Sequence, residues 1–303
     1  MKDFDDAIRS AVKTATQAIE DAVEAVGGLA FGGETRDLRR TIDGTALRGL
    51  RARNRNGSVA ASGYDGTEIV VEARIRVLGA SKDRADEYVR RVEDAIRVEE
   101  SALEIEAPVG LGLHVAWVDY TLRVPRAFQV EIEVGNGRVS VEHVEGPVGI
   151  RSANGEVNVR RVEGRVSART SNGKIAVEAV SGPIVLETHN GAVNVSRVAG
   201  TVSAKSANGE ILVSDAAASV TVETINGTVR YQGRVCGDLD IGTTHGSITL
   251  KVPADSVFEL DADVKVGRVH TDLPFSAHAG TATEKLHAVR LRSVVGRIAI
   301  EAL

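Results

Sequence analysis

Aromatic side chains, cysteine and long apolar runs are all scarce in this 303-residue chain, and each scarcity excludes a class of protein. Aromatic residues make up 3% of the chain, which leaves few rings on which a single-stranded nucleic acid could stack. The formal net charge of −5 gives no basic footprint for nucleic acid either. The single cysteine, Cys236, has no partner for an intrachain disulfide. Since no stretch approaches the roughly 20 apolar residues that cross a bilayer, we expect no transmembrane segment.

The first residues also lack the unbroken apolar run of a secretory signal, because MKDFDDAIRSAVKTATQAIEDAVEAV is interrupted by charges throughout. We therefore expect a cytoplasmic protein. Apolar residues from Phe4 to Val26 recur at helical spacing, which predicts an amphipathic helix that ends at the glycines of GGLAFGG. Two roles are open for its apolar stripe. It predicts either association with another chain or a cap folded onto the first end of the molecule.

An Asn-Gly pair recurs every 18 residues through the middle of the chain. The six pairs begin at Asn136, Asn154, Asn172, Asn190, Asn208 and Asn226. Glycine also falls halfway between pairs, at Gly146, Gly164, Gly182 and Gly200. An internal repeat of this length predicts a solenoid.

The residues between the glycines decide between helix and strand. Counted from the glycine of each pair, the second, fourth, seventh, eleventh and thirteenth positions are apolar, as in Val157, Val159, Val162, Val166 and Ala168. Alternation of β-branched residues at period two predicts strands. The chain is therefore predicted to be all-β, a single-stranded parallel β-solenoid with 18-residue coils, each adding one layer to a continuous core. Two or three sheets per coil, and either handedness, fit this pattern.

The asparagines of the pairs are predicted to form a structural corner ladder. Asn-Gly tolerates the positive φ of a tight corner, and stacked amides can hydrogen-bond along the solenoid axis. Charged residues occupy the outward positions, and their sign alternates between coils, as in Arg138, Glu156 and Lys174. Parallel strands would stack these side chains as neighbours of opposite charge.

Four segments follow from these patterns. Residues 1–33 contain the amphipathic helix and a glycine-rich linker, and residues 34–134 contain irregular strands and one helix at the N-terminal end of the solenoid. Residues 135–250 hold the regular repeats, and residues 251–303 hold the last coils and a loop.

Particular residues mark the two ends of the repeat. Asn56 and Gly57 predict an early coil, and Ser81 is positioned to cap a helix over residues 82–98 that closes the first end. Toward the other end the period shifts by one residue near Arg234–Cys236, and His245 replaces the corner asparagine. Cys236 stands at a halfway-glycine position, so we expect it to be buried.

Catalysis and metal binding find little support in the residues. Glycoside hydrolysis needs paired carboxylates, yet no aspartate occurs from Tyr120 through Ser214, and Glu145 with Glu163 is the one vertical acidic stack. A calcium-binding β-roll requires aspartates at its turns, and here the turns carry asparagine. The seven histidines form none of the close clusters that hold zinc. We therefore expect no cofactor, no metal and no enzymatic activity.

The motifs together resemble the putative-adhesin family of prokaryotic β-strand-repeat proteins, a domain of unknown function. The resemblance runs from about Leu47 to the C-terminus and rests on these segments in order: DGTEIVVEA, ADEYVRRVEDAIRV, YTLRVP, the SANGEV, TSNGKI and SANGEI repeats, SITLKVP and VVGRIAI. It implies a single-chain β-solenoid and no established catalytic residues. The predicted function is a non-catalytic structural or interaction scaffold that binds a protein partner or self-associates through the N-terminal helix. The alternative is a carbohydrate-active or carbohydrate-binding β-helix.

Overall fold

The computed structural model describes residues 33–78, 81–108, 116–273 and 286–303, which form 23 strands and one helix. The predicted N-terminal helix lies outside these residues. The prediction of a parallel β-solenoid with 18-residue coils is confirmed, because Val148 pairs with Val166 and Val157 with Ile175 in parallel ladders. The same spacing continues from Asn136 to Asn226.

The N-terminal part contains seven strands and the helix. They are β1 (Gly33–Asp43), β2 (Gly49–Asn56), β3 (Val59–Tyr64), β4 (Glu68–Leu78), α1 (Lys82–Asp94), β5 (Ile96–Glu99), β6 (Ala102–Glu106) and β7 (Ala116–Pro125).

The regular coils follow as pairs of strands. They are β8 (Gln129–Asn136), β9 (Val139–Val144), β10 (Val148–Asn154), β11 (Val157–Val162), β12 (Val166–Asn172), β13 (Ile175–Val180), β14 (Ile184–Asn190), β15 (Val193–Val198), β16 (Val202–Asn208), β17 (Ile211–Ala216), β18 (Val220–Asn226) and β19 (Val229–Gln232). The last strands are β20 (Leu239–His245), β21 (Ile248–Val252), β22 (Glu259–Thr271) and β23 (Ala288–Ala302).

Each regular coil contributes two strands, which assigns two faces to the solenoid. The strands that end at an asparagine corner pair with one another and form face A, together with β6 at one end and β20, which ends at His245, at the other. Face A runs β6, β2, β8, β10, β12, β14, β16, β18, β20. The strands that follow the corner form face B, which runs β7, β3, β9, β11, β13, β15, β17, β19, β21. All five predicted apolar positions of each regular coil are buried between the faces. Each buried valine contributes about 1.5–3 kcal/mol, so the core grows in equal layers.

The two kinds of glycine are required by the stacking of one coil on the next. Gly155 has a φ of +143°, and a Cβ atom there would overlap the carbonyl oxygen of Gly137. A Cβ atom on Gly164 would overlap the carbonyl oxygen of Gly146 in the same way, although φ at Gly164 is not positive. The 18-residue and nine-residue periods of glycine therefore mark the two places where successive coils approach most closely.

A third special position was not predicted. The sixth residue after each corner glycine is left-handed although none is glycine, with φ between +51° and +58°, at His143, Arg161, Ala179, Arg197 and Asp215. Left-handed backbone costs a side-chain-bearing residue roughly 1–2 kcal/mol. Each coil therefore contains a small bulge between the fourth and seventh residues after its corner glycine. Strict alternation would turn these two side chains to opposite faces, and the bulge lets both point into the core.

The N-terminal end is closed by elements that interrupt the solenoid order. Strands β2 and β3 form a coil that lies between β6–β7 and β8–β9, and Asn56 pairs with Asn136 as predicted for an early coil. Strand β5 pairs antiparallel with β6, and β1 and β4 extend face B antiparallel. Helix α1 packs on β1 and β5 and buries Ala85, Tyr88 and Val92 in the core.

The predicted closing helix is confirmed, but its predicted length is wrong. The helix ends at Asp94, and Ile96 begins β5. Helical spacing through Ile96 and Val98 coincides with the alternation of a short strand, so the pattern could not separate the two. Ser81 lies at the N-cap position without a side-chain capping hydrogen bond.

The C-terminal end also departs from chain order. Asn226 pairs with His245, which confirms the one-residue shift and the replacement of the corner asparagine. The expected burial of Cys236 is wrong, because Gly237 takes the close-approach position against Ser219 and Cys236 is exposed. Strand β23 pairs with β20 and β21, whereas β22 pairs with the outer edge of β23.

Candidate interaction surface

The six predicted asparagines lie in one exposed row along the corner between the faces. The Nδ2 atom of each asparagine donates to the Oδ1 atom of the asparagine one coil earlier, at 2.8–2.9 Å. Asn136 donates in turn to Asn56 at 2.9 Å, which extends the row by one coil. Aligned amides of this kind polarise one another, and here they tie each corner to the next.

A row of buried hydroxyls behind the asparagines was missed by the sequence analysis. Ser152, Thr170, Thr188, Ser206, Thr224, Thr243 and Ser293 face the core two residues before the corner position. Thr188 and Ser206 donate to the carbonyl oxygens of Gly173 and Gly191, both at 3.3 Å. The sequence does contain a signal, which is a serine or threonine at a fixed position in each coil. It was overlooked because polar residues were assumed to point outward.

Charged side chains on both faces largely neutralise one another. On face A, guanidinium or ammonium nitrogens lie 3.0 Å from the carboxylate in Arg169–Glu187 and 2.7 Å in Lys205–Glu223. On face B, Arg138–Glu156 and Arg160–Glu178 both lie at 3.3 Å. The predicted stacking of opposite charges is confirmed for Arg138–Glu156 and Arg160–Glu178, and the two face A pairs lie in a column for which no prediction was made. Each exposed pair is worth about 0–1 kcal/mol, so they favour the register more than they stabilise the fold.

Two shallow grooves lie on face A where a glycine replaces an outward side chain. The first, of about 320 Å³, lies at Gly149 beside Arg51, Arg53, Glu131 and Glu133. The guanidinium groups of Arg51 and Arg53 lie 3.5 and 3.8 Å from those two carboxylates. The charge of each carboxylate is therefore balanced by an arginine. This leaves no pair of unpaired carboxyl groups that could act as general acid and general base.

The second groove, of about 760 Å³, lies at Gly242 and is lined by side chains of the last coils. A Cβ atom on Gly242 would meet nothing within 4 Å, whereas one on Gly149 would meet Cγ of Glu131 at 3.8 Å. The groove at Gly242 is therefore the more open of the two. Aspartate and basic residues line it together, with Asp263, Lys205, Lys265 and Arg292 on its walls. The mixture of signs favours a polar contact surface over a site for one charged ligand.

The predicted acidic stack and the histidines form no catalytic arrangement in the described parts of the chain. Glu145 and Glu163 are both exposed and line neither groove. Within the four described ranges, no group of three or more His, Cys, Asp or Glu residues could hold a metal ion. No helix in those ranges is long and apolar enough to cross a membrane.

Two of the three fully buried tyrosines have hydrogen-bond partners, whereas the hydroxyl of Tyr120 has none among the described residues. Burial raises the pKa of Tyr231 to about 12, and its hydroxyl donates to the carbonyl of Arg234 at 2.9 Å. Burial also raises the pKa of Tyr88, whose hydroxyl donates to the carbonyl of Pro108 at 2.8 Å. Both phenols therefore remain protonated at neutral pH and serve the core.

Asp119 joins three strands at the N-terminal end. Its Oδ1 atom accepts from the backbone N–H and the Oγ of Ser58, at 2.8 and 2.7 Å, and its Oδ2 atom accepts from Arg76 at 3.0 Å. Partial burial opposes the charged carboxylate, but the Ser58 hydrogen bonds and the Arg76 charge outweigh it and lower the pKa of Asp119. The carboxylate therefore fastens β7 to β3 and β4.

Comparison with solved structures finds proteins of very low sequence identity. A putative cell adhesion protein from Clostridium sporogenes is 11% identical, with a TM-score of 0.25, and the match covers 89% of this chain and 100% of that one. A putative adhesin from Bacteroides fragilis is 11% identical, with a TM-score of 0.42 and coverage of 88% and 97%. A putative lipid binding protein from Parabacteroides distasonis is 10% identical, with a TM-score of 0.31 and coverage of 90% and 98%.

No curated protein matches the chain. One family model, described as Toastrack DUF4097, matches residues 118–301, which is more than half of the chain. The matched region holds the asparagine corners, both charged faces and the last coils. The protein therefore belongs to the Toastrack DUF4097 family.

Proposed function

We propose that the protein is a non-catalytic interaction scaffold that associates with a protein partner or with further copies of itself. The observation that carries the proposal is the use of outward ionisable side chains to pair one coil with the next. Pairs such as Arg160–Glu178 and Lys205–Glu223 hold stacked strands together. A surface of this kind supports a rigid spacer, which presents its ends or extensions to partners.

The amphipathic helix predicted over residues 4–26 is the proposed association element. Its competing role is a cap on the first coil. Helix α1 already covers that end of the core with Ala85, Tyr88 and Val92, which supports association over capping. An isolated helix of this length is marginal in water and gains stability by burying its apolar stripe.

Light scattering on the full chain and on residues 34–303 tests this role. We expect a defined oligomer for the full chain and a soluble species of lower mass for the truncation. A full-length variant with Val12→Asp and Ile19→Asp in the stripe should show the same loss, whereas the matched outward change Lys13→Asp should not. The same number of chains per particle in all four proteins would contradict association through the helix, and aggregation of the truncation alone would identify a cap.

A further inference from the structure

We propose that the C-terminal end of the solenoid docks a second copy of this chain, through antiparallel pairing of two β22 strands. This surface lies at the opposite end of the solenoid from β1 and α1, and the proposal does not rest on the role proposed for residues 4–26.

The backbone of β22 offers an open edge. Its residues pair with β23 from Glu259↔Ala288 to Thr271↔Ile300, and within the described ranges no other strand pairs with it. An edge strand directs part of its N–H and C=O groups outward, where another strand can pair with them. At 13 residues this is a long edge, and it carries no proline.

The core columns of the solenoid also end unfinished at β22. Val269 lies beside Ile298, which is fully buried, yet Val269 itself is 46% exposed. Val266 stands instead in the exposed corner column, beside Val295, and at 62% exposure it adds apolar surface to the same edge. A further strand would cover Val269 as β22 covers Ile298, and burial of an apolar side chain is favourable in proportion to its area.

The distribution of charge along β22 selects an antiparallel copy as the occupant. The first half of the strand carries Glu259, Asp261 and Asp263, and Lys265 stands at its centre. The second half carries Arg268 and His270, and the Nε2 atom of His270 lies 2.9 Å from Oδ1 of Asp272. A two-fold axis across the edge places the first half of one strand against the second half of the other. Acidic residues of each copy then face basic residues of its partner, which a parallel copy would not achieve.

The position of Arg268 explains why an acidic residue of a second copy would be favourable there. It lies directly beside Arg297 in the ladder, and within the described ranges neither guanidinium forms an ion pair. Like charges in neighbouring strands are unfavourable. A carboxylate supplied by Asp261 or Asp263 of a second copy would relieve that repulsion.

The two ends of the molecule also fix the size of this assembly. The N-terminal end differs, because helix α1 packs on its edge strand β1, which pairs with β4 in the described ranges. Pairing of the same strand from both copies is isologous and closes after two chains. The geometry therefore favours a dimer over a filament at this surface.

Light scattering on the full-length chain tests the proposal with two edge variants. Val266→Lys combined with Val269→Lys places charge on the edge, and Arg268→Asp reverses the complementarity. We expect each of these two variants to halve the number of chains per particle relative to wild type. The control is Val98→Lys, at a valine of comparable exposure (54%) at the other end of the solenoid, and it should leave the mass unchanged. Arg268→Asp combined with Asp263→Arg should restore the wild-type mass. Thermal unfolding of each variant checks that it is folded.

The outcomes separate this proposal from the role of the N-terminal helix. A mass that falls with the helix variant and not with either edge variant would overturn the β22 dimer and leave the helix proposal intact. A mass that falls with the edge variants alone would support the dimer and contradict the helix. A monomeric wild-type chain would overturn both. A parallel loss for Val98→Lys would overturn the assignment to β22.

Discussion

The middle coils and the two ends of this solenoid solve the same stacking problem in different ways. From β8 to β19 each coil follows the last in chain order, and its neighbours in space are its neighbours in sequence. At each end one coil is inserted out of order, with β2–β3 inside β6–β7 and β23 inside β22. The N-terminal end then closes with a helix and antiparallel strands, whereas the described C-terminal end stops at a parallel edge.

This difference shows which features belong to the repeat and which to termination. Repeated layers need glycine at two corners and apolar residues at fixed positions, because each coil must fit the one before it. An end needs only to cover the apolar side chains and pair the backbone groups of one exposed layer. Antiparallel strands or a helix can do this without following the repeat. The contrast is therefore testable by changes that affect one region and spare the other.

Deleting whole or partial coils from the middle should have the largest effect. Removing Gly173 through Asn190 joins Asn172 to Gly191 and deletes one complete layer. We expect a shorter protein that still unfolds cooperatively, since each repeat contacts only its neighbours. Removing one residue fewer should shift every later strand to the wrong face and abolish folding. Calorimetry on the two deletions checks this, and equal thermal stability would refute the 18-residue register.

A buried charge should separate the middle from the open end. Val159→Asp places a carboxylate in a fully buried column and should cost more than about 4 kcal/mol of unfolding free energy. Val269→Asp makes the same change in a core column at the exposed strand β22 and, in protein dilute enough to be monomeric, should cost much less. Denaturant unfolding of both variants gives the comparison, and similar losses would show that the end is covered.

The corner glycines should be intolerant of a side chain that other glycines accept. Gly155→Ala is expected to lose about 2–3 kcal/mol, because of positive φ and overlap with Gly137. At Gly149 a Cβ atom would approach only the Cγ of Glu131, at 3.8 Å, so Gly149→Ala should be neutral or stabilising. Urea denaturation measures both. A loss at Gly149 equal to that at Gly155 would contradict the close-approach explanation.

At the N-terminal end, Asp119 should make stability depend on pH. Its pKa is lowered in the folded state, so the carboxylate stabilises the fold above the pKa of an unfolded aspartate. That contribution is lost as the pH falls through the folded-state pKa. Asp119→Asn should cost about 1 kcal/mol at neutral pH, a small value because the group is partly exposed. The free energy of unfolding of wild type and of Asp119→Asn should converge as the pH falls. A difference that stays constant with pH would refute the mechanism.

The smallest effect is expected at the left-handed bulge of the middle coils. Ala179→Gly should stabilise the protein by up to about 1 kcal/mol, because glycine adopts its φ of +56° without strain. Ala176→Gly, three residues earlier in β13, should instead destabilise by about 0.5–1 kcal/mol. Thermal unfolding of the pair is the measurement. Destabilisation by both would show that the bulge is unstrained.

The sequence predicts the middle coils well because every layer repeats the same constraints. Glycine at two periods and apolar residues at five positions define the register without reference to any distant residue. The buried hydroxyls were not predicted because polarity alone places a serine or threonine outside, whereas four of the seven donate to a glycine carbonyl of the neighbouring coil: Thr188, Ser206, Thr243 and Ser293. The left-handed bulges were not predicted because histidine, arginine, alanine and aspartate share no signature.

The ends were less predictable because their order depends on competition between similar strands. Strands β22 and β23 both carry alternating apolar residues and a corner glycine, and nothing local indicates which stacks on β20. The error at Cys236 has a related cause. One inserted residue moved the close approach to Gly237, and the period alone placed it one position early.

Hydrogen exchange at the corner glycines tests most directly whether the coils form one continuous stack. The amides of Gly137, Gly155, Gly173, Gly191 and Gly209 each donate to the corner carbonyl of the next coil at 2.9–3.1 Å. The account predicts that all five exchange slowly and at similar rates, through opening of the whole stack. In the variant with Val266→Lys and Val269→Lys, the amide of Gly267 should exchange much faster than these five. Rapid exchange at any one of the five would contradict a continuous stack of equivalent layers.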